Sequence, residues 1–362
     1  MAGKRHHYLP GLLLRRFAES SGKREGLVWR LDKVSGHPRP VAPKYEAALP
    51  HYYRLEHPDG TSDSRPEDLL ASIENATAPI LQRLERGEKP TDADRAWLAL
   101  FIVLQHRRTP VARGWLNFLD EFASTLMTEV SLANKESFHR RARSAEPNMT
   151  FEEVEEMRLE LLADLQSGHA RIESTPSREV AAMFVAADKV AEVLVMDFAW
   201  GVIRAPASKQ FVLPDMGITL YDPTPRMPAS GLGFGSSPNT ETVLPVDPAF
   251  AIALTPGPPV WKDASVDEAA VEEVNLRAYA WSDAAVYGQS QKAVTDIRRL
   301  ARQKRELVGR FKPRPGRLWI ADVDEEKKVG EVEFVGHSPE GTTRQRFLVD
   351  PRAYDEGESF EG

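Results

Sequence analysis

Two adjacent imidazoles carry the first chemically capable groups of the chain: Lys4-Arg5-His6-His7-Tyr8-Leu9-Pro10 sets His6 and His7 beside basic residues, just ahead of Leu12, Leu13, Leu14 and Phe17. A neutral imidazole accepts a proton or binds a metal near pH 7. Neighbouring residues point in different directions, so the pair shares one metal poorly and a single base or ligand is expected. The structural alternative is an imidazole bonded to a backbone carbonyl with Tyr8 packed beside it, the commoner role of an isolated pair.

A second constellation is Gln105-His106-Arg107-Arg108-Thr109-Pro110. Gln105 and Arg108 continue the apolar stripe of Leu98, Phe101 and Ile102, so both point inward from one helix face. A buried guanidinium needs a carboxylate, and Glu74, beside Ile73 at the margin of an earlier helix stripe, is suitably placed. Such a pair is either a structural clamp or an anion site. Asn275 interrupts another inward stripe, Val271, Val274 and Ala278, where one hydrogen bond to a loop is the plainer reading. Asp215 in Phe211-Val212-Leu213-Pro214-Asp215-Met216 follows a strand end, a position equally ordinary for a turn aspartate.

Composition limits the chemistry. The 362 residues hold no cysteine, which removes disulfides, thiolate metal sites and cysteine nucleophiles and fits a reducing compartment. Any metal would need His, Asp or Glu; neither its presence nor its identity is written in the spacing. With 41 % hydrophobic and 28 % charged residues the chain reads as globular, without an export signal or an apolar run long enough to span a bilayer, so no membrane association and a cytoplasmic location are expected. A net charge of −7 argues against a globally basic nucleic-acid coat. Charge is uneven, however: residues 291–317 carry ten Lys or Arg against Asp296 and Glu306.

The elements that must position these groups follow from periodicity. A short helix with Pro10 in its first turn places His6 and His7 at its positive end. A β-hairpin over Gly26–Asp32 and beyond, and a strand within Ala47–Leu55, come next. Helices are then predicted from a Ser64–Glu67 capping box, from a Thr91–Asp94 box to Thr109-Pro110, over Trp115–Leu132, from a Thr150–Glu153 box, and from Thr175-Pro176 to Met196. The Arg-rich segment 139–143 is expected between helices. Strand texture returns at Ala199–Arg204, Gln210–Leu213, Ile218–Tyr221, Val243–Val246 and Phe250–Leu254, around a Pro- and Gly-rich loop over Pro223–Asn239. Gly231-Leu232-Gly233-Phe234-Gly235 in that loop lacks the strand and helix context of a dinucleotide-binding turn. A Ser265–Glu268 box opens a further helix, followed by a basic helix near 291–308, a three-stranded antiparallel meander and an acidic tail from Tyr354.

His6-His7-Tyr8-Leu9-Pro10, Leu14-Arg15-Arg16-Phe17, the strand around Trp29, Tyr52-Tyr53, Ile73-Glu74, and Gln105 with Arg108-Thr109-Pro110 resemble, in order and spacing, the bacterial domain-of-unknown-function family 4238. The resemblance runs from about residue 4 to 288, through Leu244-Pro245 to Asn275. Where that family typically shows a Ser/Thr-Asp-Asn-Pro element, this chain reads Leu213-Pro214-Asp215-Met216-Gly217, keeping only the aspartate. The family implies no activity.

The expected fold is α+β, a helical bundle packed on mostly antiparallel β structure, with a main domain over 1–290 and an appendage over 291–362. The expected function is a hydrolase of phosphodiesters or nucleic acids. His6, His7, Glu74, Gln105, Arg108, Asp215 and Asn275 form the candidate catalytic set, while Arg15, Arg16, Arg298, Arg299 and Arg302 are candidate phosphate contacts. A divalent metal on His, Asp or Glu is compatible with this set. The alternative is a non-catalytic nucleic-acid- or protein-binding module in which the same polar cluster is a clamp.

Overall fold

A computed structural model describes residues 5–56, 59–167, 169–170, 172–222, 239–312, 319–320, 330–338 and 341–349, the last three segments as backbone. In chain order, β1 (Arg5–His7) leads into α1 (Gly11–Arg16), then β2 (Val28–Asp32), β3 (Pro38–Val41), β4 (Ala48–Pro50), β5 (Leu55–Glu56) and β6 (Ser62–Asp63). The helical middle comprises α2 (Arg65–Glu85), α3 (Asp92–Arg107), α4 (Pro110–Ala133), α5 (Lys135–Ala145), α6 (Phe151–Ser167), α7 (Pro176–Phe184) and α8 (Ala187–Met196). After it come β7 (Phe198–Arg204), β8 (Leu213–Pro214), β9 (Thr219–Tyr221), β10 (Glu241–Pro245), β11 (Phe250–Pro256), β12 (Trp261–Ser265), α9 (Glu268–Trp281), β13 (Ala285–Gly288), α10 (Gln291–Gln303) and α11 (Arg305–Phe311). Strands β14 (Trp319–Ile320), β15 (Gly330–Ser338) and β16 (Gly341–Val349) complete the described chain. The fold is α+β, as the change of period from two to 3.6 and back requires.

One five-stranded sheet has the order β12-β7-β11-β10-β9, antiparallel except for the parallel β12–β7 edge, and a four-stranded sheet has the order β3-β2-β13-β8. Helix α3 lies at the centre. Leu98, Ala99, Phe101, Ile102, Val103 and Leu104 are all buried, so from Leu98 onward this helix is enclosed nearly all round, between α2 and α8. One apolar core joins it to α1 through Leu13, Leu14 and Phe17 and to the larger sheet through Trp200, Leu244 and Phe250. Each such side chain contributes roughly 1.5–3 kcal/mol, enough in aggregate to offset the desolvation of a few paired polar groups among them.

Several local expectations change. The Thr91–Asp94 box forms, as do the reciprocal bonds between Thr150 and Glu153. Ser64, in contrast, makes no side-chain cap, and Glu67 turns instead toward His6. Asp267 rather than Ser265 caps α9, because Ser265 ends the paired strand β12. The helix expected from Thr175 to Met196 is two, broken where Ala186 takes a left-handed φ of 51°. Residues 139–143 lie inside α5, since straight-chain arginines are good helix formers. At the C-terminal end β16 pairs antiparallel with β15 but parallel with β14, giving the order β14-β16-β15 in place of a sequential meander. Alternation identifies extended segments but not their neighbours. The loop expected over 223–239 lies, but for Asn239, outside the described residues, as does the acidic tail.

The expected boundary at residue 290 falls between β13 and α10. Helix α10 packs Val294, Ile297 and Ala301 against α9, β13 and β2, and α11 buries Val308 and Phe311 against α9. Among the described residues no helix is long and apolar enough to cross a membrane.

Candidate functional site

His6 and His7 lie on a strand, not at a helix entry. Strand β1 pairs antiparallel with β4, His6 opposite Leu49 and His7 opposite Ala48, and α1 begins only at Gly11. Consecutive strand residues face opposite sides. His6 is buried: its Nδ1 accepts the Tyr53 backbone N–H at 2.9 Å, its Nε2 lies 3.0 Å from Glu67, and its ring stacks on Tyr53. An Nδ1 that accepts cannot also be a base, so His6 is fixed as the Nε2–H tautomer and locks β1 to the Tyr52-Tyr53 turn. The Tyr53 hydroxyl completes that lock by donating to the His7 carbonyl at 3.0 Å.

His7 is half-buried on the other side, with Nε2 3.4 Å from the Pro43 carbonyl. Donation there leaves Nδ1 with its lone pair, without a partner among the described residues. Burial holds its pKa below the ordinary value; the Pro43 carbonyl and Glu74 oppose the shift, while Arg108 and Arg15 add to it. The ring is therefore neutral at pH 7. The helix dipole has no part in this.

The other half of the cluster comes from the end of α3. Thr109 stops that helix and caps the next, accepting from Ala112 N–H, with Pro110 in the first turn of α4 where no N–H is needed. Arg108 at the junction is 2 % exposed. Its Nη1 donates to Glu74 at 2.7 Å and its Nε to Gln105 at 2.7 Å, with Phe101 beneath the guanidinium. The Gln105 amide in turn donates to the carbonyls of Tyr8 (3.3 Å) and Met216 (3.1 Å). Gly217 is required beside it: φ is +77°, and a Cβ there would lie 2.5 Å from Gln105 Nε2.

Gln105 is thus satisfied and holds Arg108 in place; Arg108 itself is not. Its Nη2 is buried without a hydrogen-bond partner among the described residues, as are the Tyr52 hydroxyl and, one turn beyond Glu74, Thr77 Oγ1. Arg113 sits over the Tyr52 ring, donating to the Tyr52 carbonyl at 2.6 Å and pairing with Glu179 at 2.8 Å. Burial raises the pKa of the Tyr53 hydroxyl, and the charges of Arg108, Glu74 and Arg113 also act on it. Arg113, Glu179 and Glu67 were absent from the candidate set. Arg113 lies one helical turn after Thr109, a spacing that could have flagged it; Glu67 carries only its capping signal.

Asp215 and Asn275 serve other segments. Both Asp215 oxygens are committed to backbone, Oδ1 accepting from Asp283 and Oδ2 from Ala284 and Ala285 at 2.7–2.8 Å, which fastens the turn before β13. Burial pushes its pKa up while those three N–H groups act against the rise. Asn275 clasps the 210–212 segment, accepting from Val212 N–H at 2.9 Å and donating to the Gln210 carbonyl at 2.8 Å.

The candidate phosphate contacts divide. Arg15 is exposed and acts on the His7 ring. Arg16, next along α1, pairs instead with Glu85 and Asp247. Arg299 pairs with Asp296, Arg298 lies over Gly36, and Arg302 is exposed near the end of α10. Among the described residues no group of three or more His, Asp or Glu is arranged to hold a metal ion.

No curated protein and no solved structure matches the chain. A family model described as a protein of unknown function does match, over residues 5–292, a span that holds β1, the α3–α4 junction, Asp215 and Asn275 together. By that match the chain belongs to the DUF4238 family.

Proposed function

We propose that the His7, Glu74 and Arg108 cluster is an anion site that hydrolyses a phosphodiester, with His7 as general base. The observation that carries this reading is the buried Arg108 Nη2, left without a partner among the described residues on an arginine whose charge acts on the neutral, half-buried His7 ring. A buried donor without an acceptor costs about 1–3 kcal/mol, and a phosphate oxygen removes that cost. Arg108 and Arg15 would hold the phosphate. His7 Nδ1 takes the proton of an attacking water as the new P–O bond forms, and Glu74 stabilises the imidazolium. The ester P–O bond breaks, the leaving oxygen takes a proton from solvent, and His7 returns its own proton to water. His6, Gln105, Asp215 and Asn275 hold the backbone and have no step in this scheme.

The test is hydrolysis of a small activated phosphodiester, bis(4-nitrophenyl) phosphate, by the whole protein and by His7→Gln. General-base catalysis of this kind contributes about 100- to 10,000-fold, so kcat/KM should fall by about 100-fold or more while the thermal midpoint stays within a few degrees. Equal rates for the two proteins, or no hydrolysis by either, would remove the base. A second reading, a non-catalytic module clamped by the same cluster, draws support from the way Gln105 and Arg113 tie the Tyr8, Tyr52 and Met216 carbonyls together. It predicts that His7→Gln changes nothing beyond stability.

A further inference from the structure

Three clefts adjoin one another along the side of the molecule. The first, about 500 Å³, is lined by Arg16, Arg204, Lys209, Gln210 and Gln289. The second, about 410 Å³, shares Lys209 and Gln210 with it and continues past Ser290, Lys292 and Arg299 to Gln303. The third, about 500 Å³, shares Gln303 and ends among Arg302, Lys304, Arg305 and Arg310. The first and second clefts share Ala207, Lys209 and Gln210 and the second and third meet at Gln303, and together we read them as a groove from the C-terminal end of α1, past the 205–210 loop, to the α10–α11 junction.

The groove is basic in a chain whose net charge is −7. Nine Lys or Arg line it against five Asp or Glu, an excess of four. Six of the nine cations are ion-paired: Arg16 with Glu85 and Asp247, Arg204 with Asp263, Lys209 and Lys304 with Glu272, and Lys292 and Arg299 with Asp296. Arg302, Arg305 and Arg310 have no ion pair among the described residues and are exposed. Lys304 and Arg305 also stand at the N-terminal end of α11, where the helix dipole disfavours a cation. Of the three unpaired arginines only Arg305 is disfavoured by its own helix; Arg302 and Arg310 lie in the last turns of α10 and α11, where the dipole favours a cation. Amides and hydroxyls alternate with them, and the one aromatic lining residue, Phe250, is buried and offers no face for stacking.

We propose that this groove binds the sugar-phosphate backbone of a nucleic-acid strand without regard to base sequence. A linear arrangement of cations and hydrogen-bond donors suits a ligand with regularly repeated negative charge, and the lack of a stacking platform leaves the bases unread. Arg16, which lines one end of the groove, follows Arg15, whose charge acts on the His7 ring, in α1. If the His7 reading also holds, the strand in the groove is the polymeric phosphodiester delivered to that site. Binding itself requires no catalysis.

The experiment measures fluorescence anisotropy of labelled oligo-dT strands, of about 5 and about 20 nucleotides, with the full chain. The longer strand should bind more tightly. Neutralising about four phosphates on a single strand gives a slope near −3 in log K against log salt, so affinity should fall roughly 50-fold between 50 and 200 mM salt. Arg302→Glu with Arg305→Glu and Arg310→Glu should abolish binding, while the control Lys23→Glu, Lys89→Glu and Lys189→Glu, with the same change in net charge, should retain it. Equal loss in both triple variants, salt-independent affinity, or capture of anionic lipid vesicles with no binding of oligo-dT would overturn the proposal. Hydrolysis of bis(4-nitrophenyl) phosphate is read separately on the groove variant. Activity kept while binding is lost separates the groove from the His7 site, and binding kept by His7→Gln makes the converse separation.

Discussion

Two inward-facing polar groups look alike in sequence and differ in one physical respect. Around Asp215 and Asn275, each side-chain acceptor and donor is matched to a particular backbone group, three N–H groups for the aspartate and one N–H and one carbonyl for the amide. Around Arg108, matching stops short: Glu74 and Gln105 take two of its nitrogens, and Nη2 is left over. A closed polar network fixes a backbone. An open one, next to a half-exposed imidazole, has capacity for a ligand.

Substitutions on the two sides should therefore fail differently. The largest effect expected is at the closed site: Asp215→Ala leaves three N–H groups of residues 283–285 without their acceptor, at a cost of about 4 kcal/mol. Urea denaturation would register this as a lower midpoint, with the activity of the remaining folded protein unchanged. A loss of activity without loss of stability would break the contrast, because it would give Asp215 a chemical role.

Acid should act on the fold through a third imidazole, His106. His106, next to Arg107 at the end of α3, has its pKa held down to about 4 by burial, with Arg107 adding to the effect. Between 6.5 and about 4 the unfolded chain binds a proton there that the folded chain does not. Stability is therefore complete above pH 6.5 and falls as pH drops toward 4, by up to about 3 kcal/mol from this residue. Denaturation midpoints at pH 7 and pH 4 should differ less in His106→Gln than in the unaltered protein; an identical pH dependence would mean the ring is protonated in the fold.

The smallest effect expected is at Glu67. Glu67→Gln removes the charge that faces His6 but keeps an acceptor, so stability should change by about 1 kcal/mol or less. Phosphodiester hydrolysis should stay within about threefold. A large catalytic loss would make the His6–Glu67 pair part of the reaction and sharpen the division drawn between the two histidines.

The sequence made one half of this picture readable. Glu74, Gln105 and Arg108 sit on helical stripes, so a 3.6-residue period was enough to turn them inward and toward each other. Asp215 and Asn275 could be seen as polar residues at inward or strand-end positions, but their partners are backbone groups more than sixty residues away, which no local period reports. The strand that separates His6 from His7 depends likewise on pairing with residues 48–50 across forty positions. Glu67 was hidden by a plausible local role as a capping partner that tertiary contact overrode. The basic composition of α10 and α11 was evident, but the groove that joins them to Arg16 exists only once the 205–210 loop is in place.

The contrast between open and closed polar sites is tested most directly by NMR titration of the His7 imidazole with and without dimethyl phosphate, a phosphodiester too inert to be consumed. An anion seated on Arg108 favours the imidazolium, so the His7 pKa should rise on saturation from its depressed value, while the His6 signals, fixed by Tyr53 and Glu67, should keep their chemical shifts. A His7 pKa that does not move, or an equal response from both rings, would contradict the account.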